Sequence, residues 1–228
     1  LGLTLSKRGD AHALEEAVPW LEKASRLAPA NAGYLADYGG TALQLAAQSH
    51  AFGTALRGRD AMERSLVLDP ANLDAREGLY RFYLEAPWPL GSSAKARAQL
   101  EEIRRRDPDR GTVLEIAAKA DAKDYAGAFA LADQARSRRP DDYAALYQYG
   151  RVALASGTNL ERGLDCLRKC QTLPPSSPAQ PGHAVVWSRI GALQEKLGHP
   201  AEARIAYESA LRLDPANGPA AAALARLK

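Results

Sequence analysis

The sequence has little of what marks a disulfide-bonded or membrane-spanning protein. It holds only two cysteines, Cys166 and Cys170, and residues one helical turn apart seldom offer disulfide geometry. We therefore expect both thiols to be small buried hydrophobic groups. No apolar run approaches the roughly 18 consecutive residues that a membrane span requires, so we expect a soluble chain.

The chain also lacks a strong charge of either sign. Its 30 lysines and arginines against 27 acidic residues leave a net charge of +3. A dedicated nucleic-acid binder carries a larger electrostatic footprint than this. Nucleic acid is therefore not the partner that the composition favours.

Catalytic and metal-binding motifs are missing as well. There is no G-x-S-x-G, H-E-x-x-H, paired C-x-x-C or G-x-G-x-x-G pattern, and the four histidines fall in separate segments: His12, His50, His183 and His199. We predict no catalytic residue, no metal site and no cofactor.

One segment superficially resembles a phosphate-binding loop. Residues 86–96 read APWPLGSSAKA, but they lack the second glycine, the Lys-Ser/Thr pair and the preceding strand of such a loop. The segment instead predicts a helix from Ala94 to Arg106 with Ser92 or Ser93 as its N-cap.

Prolines divide the chain at intervals of one repeat length. Each of six prolines follows an apolar-periodic segment: Pro29, Pro70, Pro108, Pro140, Pro175 and Pro215. Proline cannot continue a helix, and a recurring period of this size indicates a helical repeat array.

The clearest unit spans residues 184–217, AVVWSRIGALQEKLGHPAEARIAYESALRLDPAN. Its two facing amphipathic helices are predicted by Trp187, Ile190 and Gln194 in the first and by Ala203, Tyr207, Ala210 and Leu211 in the second. Gly191 and Ala203 are small enough to let the two backbones approach closely, and Gly198 suits a left-handed cap between the helices.

This unit resembles the tetratricopeptide repeat, a helix-turn-helix motif of about 34 residues. The same register extends along the chain, with less fidelity, to six repeats and a capping helix: 1–31, 32–72, 73–110, 111–142, 143–183, 184–217 and 218–228. We expect one all-α domain over residues 1–228, an α-solenoid that, as the resemblance implies, coils into a right-handed superhelix.

The first three repeats carry extra residues, which we expect between the first and second helices. The sequence starts inside a first helix, which leaves open whether it is a fragment of a longer protein. Its Ala-, Arg- and Leu-rich style is typical of bacterial proteins, and cytoplasm and periplasm both stay open as compartments. The oligomeric state is open as well.

The resemblance implies a non-enzymatic scaffold that binds a protein or peptide in a concave groove lined by the first helices. Transferred by register, the groove positions are Asp74, Glu77, Arg81, Tyr147, Arg151, Ser188 and Glu195. Arginine and tyrosine are enriched at interface hot spots, so Arg81, Tyr147 and Arg151 are the leading contacts.

Two other surfaces are also candidate binding sites. The edge with the inserted residues carries Phe52 and Trp88, which are either exposed anchors or plugs folded back on longer helices. We favour plugs because large apolar rings usually find cover. A candidate basic strip lies at the ends of second helices: Arg104, Arg105, Arg106, Arg110, Arg136, Arg138 and Arg139.

The basic strip supports an alternative function, a module that binds a polyanion such as RNA. Cations in the last turn of a helix also complement its dipole, which explains much of the pattern without any ligand. A further alternative is a regulatory segment of a larger enzyme or of a secretion or assembly component.

Overall fold

The computed structural model describes residues 1–6, 11–175 and 180–227, and these residues form thirteen α-helices and no β-strand. The helices are α1 (Gly2–Ser6), α2 (Ala11–Leu27), α3 (Ala32–Ser49), α4 (Phe52–Leu68), α5 (Leu73–Glu85), α6 (Ser93–Arg106), α7 (Pro108–Asp121), α8 (Tyr125–Arg138), α9 (Tyr143–Ser156), α10 (Leu160–Cys170), α11 (His183–Lys196), α12 (Pro200–Leu213) and α13 (Gly218–Arg226). The predicted all-α class of consecutively packed helix pairs is confirmed.

The helices belong to two compact units, Leu1–Gly111 and Thr112–Lys228. Within each unit, most helices that are adjacent in sequence pack on one another, and first helices of neighbouring repeats also make contact: α3 with α5 in the first unit, and α9 with α11 in the second. We call these the layer of first helices. The single continuous domain and its repeat boundaries stay a prediction.

Side chains cap the helices where the sequence predicts it. The Ser92 Oγ accepts a hydrogen bond from the backbone N–H of Lys95 at 3.3 Å, and α6 begins at Ser93. The predicted cap of this helix is therefore confirmed. Gly198 has a φ of 81°, which confirms the left-handed residue predicted between α11 and α12 and explains why glycine is favoured there.

Small residues bring paired helices close together. A Cβ atom built on Gly191 would lie 2.6 Å from Cε1 of Tyr207, so the predicted close approach of these helices is confirmed. Cys166 and Cys170 are both free and buried, as expected from their spacing. Burial raises the pKa of the Cys170 thiol to about 12.

The extra residues of the second repeat do not lie where they were expected. They lengthen the helices to 18 residues in α3 and 17 in α4, and only residues 50–51 connect them. The prediction of an insertion between these helices is therefore wrong. Leu45 and Ala46 are buried, so the apolar face of α3 continues into the added turn and keeps these residues helical. In the third repeat, residues 86–92 do form a longer connection.

Candidate functional site

The first-helix layer of the first unit carries a cluster of opposite charges around Arg110. The Arg110 Nη2 donates to Asp74 Oδ1 at 2.7 Å, and its Nε donates to Glu77 Oε2 at 2.7 Å. The other oxygen of Glu77, Oε1, accepts from Nη2 of Arg81 at 2.6 Å. The predicted groove residues Asp74, Glu77 and Arg81 therefore lie together. Arg110 joins them, although the sequence analysis assigned Arg110 to the candidate basic strip.

The second unit repeats this arrangement with different chemistry. Arg151 on α9 donates to Asp121 Oδ1 at 3.0 Å and to the carbonyl oxygen of Ala117 at 3.1 Å, both on α7. Arg189 on α11 donates through Nε to the hydroxyl oxygen of Tyr147 on α9 at 2.6 Å. Each arginine thus reaches back to the preceding first helix.

A third contact of this kind in the second unit joins the capping helix, α13, to α11. Nη2 of Arg226 lies 3.4 Å from Glu195 Oε2. We call Arg110, Arg151, Arg189 and Arg226 the bridging arginines. They recur at about one repeat length along the sequence, and that periodicity is the signal by which sequence reasoning could have found Arg110, Arg189 and Arg226.

The predicted groove residues differ in how much surface they offer. The side chains of Asp74 and Arg81 are 79% and 60% exposed, whereas Tyr147 is only 6% exposed and Ser188 only 9%. The side chain of Glu195 is 26% exposed. A partner on this layer would therefore meet charged side chains of the first unit more readily than the Tyr147 ring.

Most arginines of the candidate basic strip are paired with nearby acids. Glu102 accepts from both Arg105 and Arg106, and the hydrogen bond from Arg105 is the main reason why the pKa of Glu102 falls to about 2. Arg136 and Arg139 form ion pairs with nearby aspartates. Arg138 is exposed, and the aliphatic part of Arg104 packs at Gly111. Residues 104–110 and 136–139 belong to different units.

The two aromatic residues of the inserted edge are exposed. Trp88, in the connection between α5 and α6, is 91% exposed, and Phe52 at the start of α4 is 56% exposed. The favoured interpretation of both rings as plugs is therefore wrong. For Trp88 the reason is that residues 87–91 form a local turn, in which the backbone N–H groups of Leu90 and Gly91 donate to the carbonyl of Pro87.

The described parts of the chain carry neither a metal-binding cluster nor a membrane-spanning helix. No group of three or more His, Cys, Asp or Glu side chains there could hold a metal ion. None of the helices in residues 1–6, 11–175 and 180–227 is long and apolar enough to cross a membrane.

Paired helices with small contact residues and glycine caps define a helical-repeat protein. Residues 184–217 match the family model of the tetratricopeptide repeat. This segment is therefore a tetratricopeptide repeat. The chain has no significant match among curated proteins.

Solved structures of low sequence identity share the fold. A chain of the APC/C hetero-tetramer Cut9-Hcn1 is 16% identical with a TM-score of 0.65, over 99% of this chain and 41% of that one. PilW, a type IV pilus biogenesis factor, is 13% identical with a TM-score of 0.57, over 93% and 91%. Human IFIT1, solved as a dimer with m7Gppp-AAAA, is 17% identical with a TM-score of 0.60, over 95% and 52%. The chain thus spans about half or less of two of these three proteins.

Proposed function

We propose that this protein is a non-enzymatic scaffold that binds a peptide segment or protein surface on its layer of first helices. The tetratricopeptide fold points to protein interaction in general, because stacked helix pairs present extended surfaces. The observation that supports this particular layer is the set of bridging arginines, which place polar and charged groups there in fixed positions.

Binding on this layer requires little reorganisation of the protein. Arg110 is held by two carboxylates and its side chain is only 26% exposed. Side chains that are already ordered lose less conformational entropy on association. The bridging arginines therefore favour a preformed surface over one that orders around its partner.

The outward charges indicate what the partner offers. Asp74 and Arg81 carry opposite charges and are the most exposed predicted groove residues of α5. Complementary charges across an interface set orientation and association rate. We infer a polar segment that carries both a basic and an acidic side chain, rather than a purely acidic tail.

Capture from a lysate of the source organism tests this proposal. The intact chain is compared with an Asp74→Ala/Arg81→Ala variant, which preserves net charge. The matched control is Arg97→Ala/Glu101→Ala, which also preserves net charge and alters exposed residues of the second helix α6.

We expect a protein to be retained by the intact chain and the control, and to be lost by the Asp74/Arg81 variant. Circular dichroism establishes that all three are folded. Retention by all three chains, or equal loss in the control, would contradict binding on the first-helix layer. The retained protein is then purified and titrated against the same variants.

A polyanion such as RNA is the second candidate. The IFIT1 structure with m7Gppp-AAAA favours it, whereas the pairing of Arg105 and Arg106 with Glu102 weighs against it. Retention on heparin that falls steeply with salt is expected for a polyanion site. Elution at low salt would exclude it. The third candidate is a regulatory segment of a larger enzyme or of a secretion or assembly component.

A further inference from the structure

Two guanidinium groups contact one buried tyrosine ring in the second unit. The Cζ atom of Arg136 on α8 lies 5.0 Å from the ring centroid of Tyr149 on α9, and that of Arg162 on α10 lies 5.3 Å from it. Tyr149 is fully buried and also packs on Phe129, with ring centroids 5.0 Å apart. The ring is therefore held in place from several sides.

The same cluster contains two buried polar atoms without a hydrogen-bond partner. They are the Tyr149 hydroxyl and Arg136 Nε, and no other buried side-chain nitrogen or oxygen in the described residues lacks one. Buried polar groups in folded proteins are nearly always paired, so each exception calls for a physical explanation. Here the two exceptions belong to one cluster, and both can donate.

The cluster carries a net positive charge. Asp133 Oδ1 accepts from Arg136 Nη1 at 3.3 Å and from Arg162 Nη2 at 2.9 Å, so two cations face one anion. Another acid near the cluster, Asp165, pairs with Arg168 at 3.8 Å. Burial raises the pKa of Tyr149, so its hydroxyl stays protonated at neutral pH and remains a donor.

We propose that Arg136, Tyr149 and Arg162 form a binding site for a single oxyanion, a phosphate or a carboxylate. The Nε and Nη2 groups of a guanidinium form an edge that matches two oxygens of such an anion, and Nη1 of Arg136 is the nitrogen that pairs with Asp133. The Tyr149 hydroxyl supplies a further donor. This site involves the second helices α8 and α10 and does not depend on the proposed function of the first-helix layer.

Access to the site depends on Arg162. Its side chain is 58% exposed, and exposed ion pairs contribute little to stability. Arg136 and Arg162 donate to the same oxygen of Asp133, so in the proposed site Arg162 moves aside to admit the anion and then places a second guanidinium against it.

Calorimetric titration of the full chain with sodium phosphate, at an ionic strength held constant with sodium chloride, tests the site. We expect saturable binding of one phosphate. In Arg162→Gln the affinity for phosphate should fall by about tenfold or more, which corresponds to the loss of one charge-assisted contact. Tyr149→Phe, which keeps the ring, is also expected to weaken it. The matched control is Arg168→Gln, on the same helix and with the same side-chain exposure of 58%.

Parallel titration with N-acetyl-aspartate amide distinguishes the two sources of an oxyanion. Tighter binding of phosphate assigns the site to a phosphoryl group, and tighter binding of the amide assigns it to an acidic side chain. Both results support the site. The absence of saturable heat with either probe would overturn it, as would equal weakening in Arg168→Gln or a crystal structure grown in phosphate that shows only water between Tyr149 and Arg136.

Discussion

Arg189 Nε donates a hydrogen bond to the hydroxyl of Tyr147 at 2.6 Å, and the Arg189 guanidinium carbon lies 5.2 Å from the centroid of the same ring. One arginine thus uses both the polar and the aromatic part of a tyrosine on the preceding first helix. The contact joins α9 to α11, and it explains why Tyr147 is buried although the repeat register places it on the predicted groove.

Substitution Tyr147→Phe removes the acceptor of Arg189 while keeping the ring. We expect the free energy of unfolding to fall by about 1 kcal/mol, the usual contribution of one such hydrogen bond. Urea denaturation measures it. Tyr34→Phe, at an exposed tyrosine, is the control and is expected to change stability by less than about 0.5 kcal/mol. Equal effects of both substitutions would contradict a structural role of the bridge.

Substitution Gly163→Ala tests the close approach of α9 and α10. The added Cβ would lie 2.5 Å from the Cβ of Ala153, so the helices must separate. We expect a loss of about 1–3 kcal/mol from this overpacking, despite the higher helix propensity of alanine. At Gly218, no atom lies within 4 Å of an added Cβ, so Gly218→Ala is expected to be neutral or slightly stabilising. Thermal denaturation compares the two, and an unchanged Tm for Gly163→Ala would refute the contact.

The ion pairs of Glu102 give the protein a defined acid dependence. Its pKa falls from 4.5 to about 2, chiefly through the hydrogen bond from Arg105. Because the pKa is lowered in the folded state, the stability that these ion pairs contribute is complete above about pH 4.5. It is lost as the pH falls towards 2. We expect the carboxyl carbon resonance of Glu102 to titrate near pH 2.

Substitution Arg105→Gln is expected to move that midpoint towards 4.5, and high salt should do so in part because the pair is exposed. Arg97→Gln, on the same helix, serves as the control. A midpoint near 4.5 in the unaltered protein would show that the pair does not form in solution.

The two cysteines are expected to resist alkylation in the folded protein. Burial raises the pKa of both thiols, to about 12 for Cys170, and the thiolate is the reactive form. Incubation with iodoacetamide at pH 8, followed by mass spectrometry, should show modification of both only after denaturation. Rapid labelling of the native chain would contradict their burial.

Trp88 is expected to behave as a solvent-exposed residue. Trp88 has 91% of its surface exposed, so iodide should readily quench its fluorescence. The emission of Trp88, obtained by subtracting the spectrum of Trp88→Phe from that of the unaltered protein, should have its maximum at long wavelength. Trp187→Phe, at a partly buried tryptophan, gives the contrasting difference. Blue-shifted emission and protection from the quencher would contradict the exposure of Trp88.

Much of the fold follows from local sequence patterns. The spacing of Trp187 and Ile190, the glycine at position 198 and the serine before α6 each act within a few residues, so helices and caps can be predicted without tertiary information. The second repeat departed from expectation because added residues that keep an apolar face, such as Leu45 and Ala46, can extend a helix as easily as form a loop.

The candidate sites could be predicted only in part, since register gives the face on which a residue lies but not its partner. Asp74 and Glu77 were placed correctly with Arg81 on one helix, yet the joining residue, Arg110, comes from another helix. Long arginine side chains can reach several neighbours, and the choice among them depends on helix separation and tilt.

The sequence by itself determined the all-α class and the positions of the caps, because these depend on periodicity and backbone preference. Only the tertiary structure decided that the bridging arginines link first helices, that Trp88 is exposed, and that Arg136 and Arg162 converge on Tyr149. Those contacts join residues from different helices, and their distances arise from the packing of whole helices rather than from any local pattern.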